Sequence, residues 1–142
     1  MNDTIRKFGF PETLVAEFEH WIVLLRPAQP TLGSLVLAAK SDATAFGDIP
    51  PEAHADLAVV IKVIEGALQQ AVGYQKINYL MLMMVDPHVH FHVLPRYEGS
   101  RQGAGIAIAD GGWPGQPDLG SAVTLDSTQI SALVAWLKPY FA

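Results

Sequence analysis

The sequence predicts an α+β fold in which a mostly antiparallel sheet of about five strands packs against one long helix and a C-terminal helix. Three observations support this class. Histidines alternate with apolar residues from His88 to Val93, which is the two-residue period of a strand. Apolar residues recur at three- and four-residue intervals within 48–73, which is the period of a helix. A capping sequence opens a second helix at Asp126.

The first third of the chain predicts the opening strands of the sheet. Residues 1–13 are mixed and polar, and they predict a loosely attached segment. The apolar stretch 14–25 predicts one bent strand or two paired strands, with a break near His20. Prolines and a glycine mark a loop over 26–33. Residues 34–39 predict a short strand that completes this part of the sheet.

The stretch from Asp48 to Gly73 predicts the long helix. Asp48 is the expected N-cap, prolines follow it in the first turn, and Gly73 is the expected stop. The apolar stripe expected to face the sheet consists of Leu57, Val60, Ile61, Ile64 and Leu68.

The almost wholly apolar run 78–85 predicts a central strand covered on both faces. Only Asp86 and Pro87 separate this run from the histidine strand. A tight antiparallel hairpin is therefore expected immediately before the histidines.

The remaining residues predict a loop-rich segment and a terminal helix. Residues 97–125 hold seven of the chain's 12 glycines, with a short strand expected at 106–108. Trp113 is expected to fasten this segment to the body of the protein, and the alternative is that it covers a nucleobase. The terminal helix is expected from Asp126 to Lys138, with a capping box at its start.

Composition limits the class of protein. With 142 residues, half of them hydrophobic, the chain predicts one domain over 1–142 and an apolar surplus for a subunit interface. A net charge of −5 argues against binding a nucleic acid polymer. No apolar stretch approaches ~18 residues and no signal peptide is recognisable, so no membrane partner and a cytoplasmic location are expected.

His88, His90 and His92 are expected on one face of a strand, opposite Val89, Phe91 and Val93. Histidine is able to act as nucleophile, proton donor or metal ligand near neutral pH. Burying three neighbouring histidines in an apolar core is unfavourable in free energy, because each buried ring needs a hydrogen-bond partner. A metal site is a second interpretation, although no Asp or Glu shares this face and the chain lacks cysteine.

The stretch from His88 to Leu94 resembles the signature of the histidine triad (HIT) superfamily, and the following Pro95-Arg96 resembles its dinucleoside-polyphosphate hydrolase branch. The resemblance implies that His90 attacks an α-phosphorus and forms a nucleotidyl-imidazole intermediate. It implies that His92 contacts the phosphoryl or leaving group, and that His88 holds His90 in the right tautomer. No metal or other cofactor is expected at the nucleophile. Members of this family form two-fold dimers, which implies a homodimer.

Two departures from the family bear on substrate binding. Where the family has an acidic or amide residue for the ribose, this chain has Arg26, beside Leu25. A guanidinium donates but does not accept, so Arg26 is expected either to bind phosphate or to be a surface charge at the end of a strand. The glycine-rich loop that supplies a serine or glutamine before the triad is expected to be missing. The substrate-binding candidates are Arg26, Leu25, Asp42, Asp86 and Arg96. Of these, Asp42 is also a candidate to orient a triad imidazole.

The sequence therefore predicts a nucleotidyl hydrolase or transferase that cleaves at the α-phosphate of a nucleoside phosphoramidate or dinucleoside polyphosphate. Two alternatives stay open. The chain is a nucleotide-binding or signalling protein with little turnover, or it is a metal-dependent hydrolase that uses the three histidines.

Overall fold

A five-stranded antiparallel sheet organises the chain, and the predicted α+β class is confirmed. The structure is a computed structural model that describes residues 1–142. The strands in chain order are β1 Leu14–Glu17, β2 Trp21–Leu25, β3 Ala28–Gln29, β4 Leu35–Ala39, β5 Lys76–Leu80, β6 His90–Arg96, β7 Ser100–Gly103, β8 Ile106–Ala109 and β9 Val123–Thr124. The helices are α1 Asp3–Lys7, α2 Pro51–Ala71 and α3 Ser127–Leu137. The main sheet has the order β1-β2-β4-β6-β5, with β5 at an open edge.

The two faces of the sheet pack against different elements. Val89 and Val93 belong to the larger core, which contains most of the buried residues of α2. His90 pairs with Ala38 and His92 pairs with Val36 across β4 and β6. Paired residues share one face of a sheet, and Ala38 and Val36 lie in the smaller core beneath α1. The histidine face is therefore the face that α1 partly covers.

Helix α2 starts later than predicted. Asp48 lies in a short 3₁₀ turn and does not cap the helix, because Pro50 takes the N-cap position and Pro51 begins the first turn. The predicted stop is confirmed, since Gly73 follows the last turn with a φ of 66°. Along the apolar stripe, Val60, Ile64 and Leu68 are buried.

The prediction of a loosely attached amino-terminal segment is wrong. Asn2 caps α1, because its side-chain oxygen accepts a hydrogen bond from the backbone N–H of Ile5 at 3.0 Å. The Asn2 amide also donates to the carbonyl oxygens of Ala39 and Ser41, both at 3.1 Å. Ile5 is fully buried against the sheet. The first residues are therefore fixed to the edge of the histidine face.

The prediction of a central strand over 78–85 and a tight hairpin is also wrong. Strand β5 ends at Leu80, lies at the edge of the sheet, and is followed by the loop 81–89. Met83 adopts a φ of 50°, which turns the chain out of the extended conformation. Leu82 and Val85 are exposed. A loop is thus present before the histidines, but it is rich in methionine and contains no glycine.

One buried ion pair connects the segment 97–125 to β6. The Arg96 guanidinium donates from Nε to Asp110 at 2.7 Å and from Nη2 to the carbonyl oxygen of Gly115 at 2.9 Å. The predicted strand at 106–108 is confirmed as part of β8, which pairs with β7. Trp113 is half-buried beside this ion pair and borders a surface cavity.

Helix α3 closes the far side of the core with the predicted capping box. Asp126 accepts from the N–H of Gln129 at 2.8 Å, and the Gln129 side chain accepts from the N–H of Asp126 at 3.0 Å. Leu133, Val134 and Leu137 are its buried residues. None of the helices combines the length and the hydropathy needed to cross a bilayer.

Candidate active site

Two histidine rings of β6 lie side by side in a cavity on the α1 face of the sheet. The centroids of the His90 and His92 rings are 5.2 Å apart and their planes are nearly perpendicular. The cavity has a volume of about 340 Å³. Besides the two histidines it is lined by Lys7, Phe8, Arg26 and residues 82–86.

The His90 ring is held in one tautomer by the backbone of His88. His90 Nδ1 lies 2.7 Å from the carbonyl oxygen of His88. A carbonyl oxygen only accepts hydrogen bonds, so Nδ1 carries the proton and Nε2 of the neutral ring keeps its lone pair. His90 thus has an available nucleophilic nitrogen at Nε2.

The prediction that three imidazoles share one strand face holds for two of them. His88 precedes β6, which begins at His90, and its ring is held by α1. Its Nδ1 lies 2.8 Å from Thr4 Oγ1, and its backbone N–H donates to the same hydroxyl at 3.4 Å. His88 therefore contacts His90 through its carbonyl, and its ring links the loop 81–89 to the amino-terminal helix.

The His92 ring carries the opposite hydrogen-bond pattern. Arg26 Nε donates to His92 Nδ1 at 3.2 Å. Burial lowers the pKa of His92 to about 4, with further lowering by the positive charge of Arg26 and by His90, while Asp86 opposes the shift. His92 is therefore neutral at pH 7.

Phe8 covers both rings, with its centroid 5.6 Å from that of His90 and 5.7 Å from that of His92. Consequently His90 is only 2% exposed and His92 8% exposed, although both line the cavity. Lys7 forms an ion pair with Asp86 beside Phe8. This pair and the Thr4–His88 contact join α1 to the loop 81–89.

The structure brings only some of the predicted substrate-binding residues together. Arg26 and Asp86 line the histidine cavity. Leu25 does not, because its side chain is buried in the larger core on the α2 side of the sheet. Asp42 is exposed and the hydrogen-bond partners of all three histidine rings lie elsewhere. Arg96 lies further along β6, where it is committed to Asp110, and borders a separate cavity of about 560 Å³.

Sequence reasoning missed the wall of the cavity that α1 and its next residue supply. Thr4, Lys7 and Phe8 contact the triad or the loop before it, although more than 70 residues separate them from it. The sequence of residues 2–8 did contain a local signal for this helix. Asn2 is a good cap, and Ile5 and Phe8 have helical spacing, which together indicate a short amphipathic turn.

The geometry does not favour a shared metal site. No three side chains of His, Asp or Glu converge as a ligand set. The ring of His88 is directed to Thr4, and Nδ1 of His92 is already used by Arg26. The arrangement instead offers one imidazole lone pair beside a second, neutral imidazole and two cationic side chains.

Comparisons with known proteins identify the family of the chain. A family model described as the HIT domain matches residues 8–99, and the chain belongs to the HIT family. This confirms the resemblance found in the sequence.

Solved structures of similar fold carry the same family name. A histidine triad protein from Sinorhizobium meliloti 1021 aligns with a TM-score of 0.75 and 20% identity, covering 99% of this chain and 95% of the other. A histidine triad protein from Marinobacter aquaeolei VT8 aligns with a TM-score of 0.71 and 23% identity, covering 90% of this chain and 87% of the other. A hypothetical histidine triad nucleotide-binding protein from Sulfolobus tokodaii strain 7 aligns with a TM-score of 0.72 and 18% identity, covering 91% of this chain and 83% of the other. No curated protein sequence matches the chain.

Proposed function

We propose that this protein is a nucleotidyl hydrolase or transferase that uses His90 as its nucleophile. The hydrogen bond between His90 Nδ1 and the His88 carbonyl carries this proposal, because it leaves the lone pair of Nε2 available in the cavity. The substrates are nucleoside phosphoramidates or dinucleoside polyphosphates. The name of the Sulfolobus relative, a nucleotide-binding protein, is consistent with a nucleotide ligand.

The reaction proceeds by two displacements at the α-phosphorus. In the first, a bond forms between His90 Nε2 and phosphorus, and the bond to the leaving group breaks with its electron pair going to the leaving atom. A polyphosphate oxygen leaves as an anion, whereas a phosphoramidate nitrogen takes up a proton from water as it leaves. In the second, the oxygen of water or of another acceptor attacks phosphorus, and the electron pair of the phosphorus–nitrogen bond returns to Nε2. The acceptor's proton passes to solvent or product.

The charges of the cavity support a phosphate ligand. Lys7 and Arg26 supply two positive charges against the single carboxylate of Asp86. Cations beside a phosphoryl group stabilise the negative charge that it carries through the reaction. Phe8 and the methionines of the loop 81–89 supply apolar surface beside these charges.

A covalent adduct on His90 tests the proposal directly. The protein is mixed briefly with diadenosine triphosphate or with an AMP-lysine phosphoramidate, and is then quenched with denaturant at alkaline pH, where phosphohistidine persists. Intact mass spectrometry should show the addition of one adenylyl group, and fragmentation should place it on His90. Release of AMP without any adduct on this ring would contradict the nucleophilic role.

The alternative of a nucleotide-binding protein with little turnover is favoured by one observation, the cover that Phe8 places over His90. Under this alternative the protein binds AMP tightly, but no adenylyl group accumulates on His90 and no substrate is consumed. Isothermal titration with AMP, run beside the trapping experiment, separates the two functions.

We also propose that the protein is a homodimer. Strand β5 leaves one edge of the sheet unpaired. The outer face of α2 carries an apolar patch of Ala58, Val59 and Val63, and Val59 is 58% exposed there. The Tyr79 hydroxyl donates to Glu65 at 2.6 Å, so β5 and α2 form one continuous surface. A two-fold axis beside β5 would cover both elements at once.

A charge on this surface should dissociate the dimer. We expect Val59→Glu to convert the protein to a monomer in sedimentation velocity at micromolar concentration, because an unpaired carboxylate would be buried. Val123→Glu is the matched control, since Val123 is also exposed but lies on β9. A wild-type protein that sediments as a monomer would refute the dimer.

A further inference from the structure

We propose that Arg26 fixes the His92 ring with its proton on Nε2, and that the site in consequence prefers substrates whose leaving group departs as an anion. Arg26 is then a positioning residue that acts through His92. The substrate preference rests on the function proposed above. It separates the two substrate classes, favouring dinucleoside polyphosphates over nucleoside phosphoramidates.

The position of the His92 proton follows from the donor that faces it. A guanidinium has five N–H donors and no acceptor. Arg26 Nε points at His92 Nδ1 at 3.2 Å, so Nδ1 must be the nitrogen with the lone pair. In the neutral ring the proton is then on Nε2. A second bond, from Arg26 Nη1 to the carbonyl oxygen of Ala28, fixes the guanidinium in this orientation.

His90 and His92 consequently hold opposite tautomers. The His88 carbonyl keeps a proton on His90 Nδ1, whereas Arg26 excludes one from His92 Nδ1. The cavity receives a lone pair from His90 and an N–H donor from His92. A phosphoryl group between them meets a nucleophile and a hydrogen-bond donor in fixed positions.

The surroundings of His92 keep its ring neutral. The groups that face it are His90 on the same strand, Arg26 beyond β2, Asp86 on the loop 81–89, and Phe8 after α1. Lys7 lines the same cavity and is paired with Asp86. Burial and two of these neighbours lower the pKa of His92, and Asp86 offsets only part of that effect. A neutral imidazole donates a hydrogen bond readily but gives up its proton poorly.

This distinction separates the two kinds of leaving group. When a phosphorus–oxygen bond breaks in a dinucleoside polyphosphate, the leaving oxygen keeps the electron pair and departs as a phosphate anion, which needs no proton. When a phosphorus–nitrogen bond breaks, the nitrogen must gain a proton, because an amide anion is a far stronger base. A neutral His92 supplies hydrogen bonding for the first reaction but no readily transferred proton for the second.

The tautomer is measurable without any substrate. In ¹⁵N-labelled protein at pH 7, the ring spectrum of His92 should show a protonated Nε2 and an unprotonated Nδ1, with the resonance assigned by its loss in His92→Gln. Arg26→Gln should introduce the other tautomer, whereas Arg26→Lys should retain part of the wild-type pattern. Arg6→Gln is the matched control, since Arg6 is an exposed arginine of α1 that pairs only with Asp3. A proton on Nδ1 of wild-type His92 would overturn the assignment.

The substrate preference is measured by kinetics. At pH 7 we expect kcat/KM for diadenosine triphosphate to exceed that for AMP-lysine phosphoramidate by at least about 100-fold, the usual contribution of a general acid. In Arg26→Gln this ratio should shrink, and the acid limb of phosphoramidate cleavage should move to higher pH, because removing the guanidinium raises the pKa of His92. Equal kcat/KM values for the two substrates in the wild-type protein would overturn the proposed substrate preference.

The two measurements fail separately. If wild type cleaves neither substrate and forms no adduct, the proposed function and the substrate preference both fall, whatever the ring spectrum shows. If an adduct forms on His90 while His92 carries its proton on Nδ1, the proposed function stands and the role of Arg26 is refuted.

Discussion

We expect His90→Ala to lower kcat/KM for nucleotide cleavage by at least about 1000-fold, because the variant lacks the nitrogen that is the proposed nucleophile. The remaining groups of the cavity would still bind phosphate, so nucleotide affinity should fall far less than turnover. Initial rates of AMP release, measured beside equilibrium binding of AMP, check both parts of this expectation.

Two further variants test whether the loss of activity is specific to the His90 imidazole. His54→Ala removes an exposed histidine of α2 and should leave activity unchanged. His90→Gly leaves a space the size of an imidazole, so added imidazole should restore part of the first displacement. Thermal unfolding of each variant controls for loss of fold. If His90→Ala keeps a tenth or more of the wild-type rate, another residue is the nucleophile.

The second large effect concerns stability. We expect Asp110→Asn to lower the free energy of unfolding by about 3–5 kcal/mol, since it leaves a buried guanidinium without its counter-charge. The side chains of Arg96 and Asp110 are 3% and 1% exposed, so solvent does not screen this pair. The carboxylate also accepts from the backbone N–H groups of Tyr97 and Gly112. Urea unfolding at pH 7 measures the difference.

The same pair gives a pH dependence of known sign. Burial raises the pKa of Asp110, but hydrogen bonds from Arg96, Tyr97 and Gly112 outweigh it and hold the pKa below its ordinary value. The stabilisation is therefore complete above the unfolded-state pKa of about 3.9 and is lost as pH falls through the lower folded-state value. The stability gap between wild type and Asp110→Asn should narrow below about pH 4. Asp118→Asn, an exposed carboxylate of the same segment, should show neither effect.

The sequence was most informative where one local period decides the structure. Alternation along the histidine stretch correctly predicted that His90 and His92 share a face and that Val93 lies on the other. The period does not indicate where a strand begins, and for this reason His88 was misplaced. Helical spacing and capping chemistry likewise predicted α2 and α3, with an error at Asp48 because the prolines set the start.

The parts that sequence reasoning missed depend on contacts between distant residues. The Thr4–His88 contact joins residues 84 positions apart, and no local pattern in either segment predicts it. The apolar run 81–85 was assigned to a strand because hydrophobicity alone does not separate a buried strand from a loop that borders a cavity. The contact between Arg26 and His92 Nδ1 was not predictable either, because it depends on the positions of two side chains that are distant in sequence.

The methionine-rich loop makes the rim of the cavity sensitive to oxidants. The chain has no cysteine, so thioether sulfur is the most readily oxidised atom near the histidines. Met84 is 87% exposed and lies next to Met83, which turns the loop beside the rings. A sulfoxide there would replace an apolar wall with a polar, branched group. Peroxide would then change ligand entry while leaving His90 chemically intact.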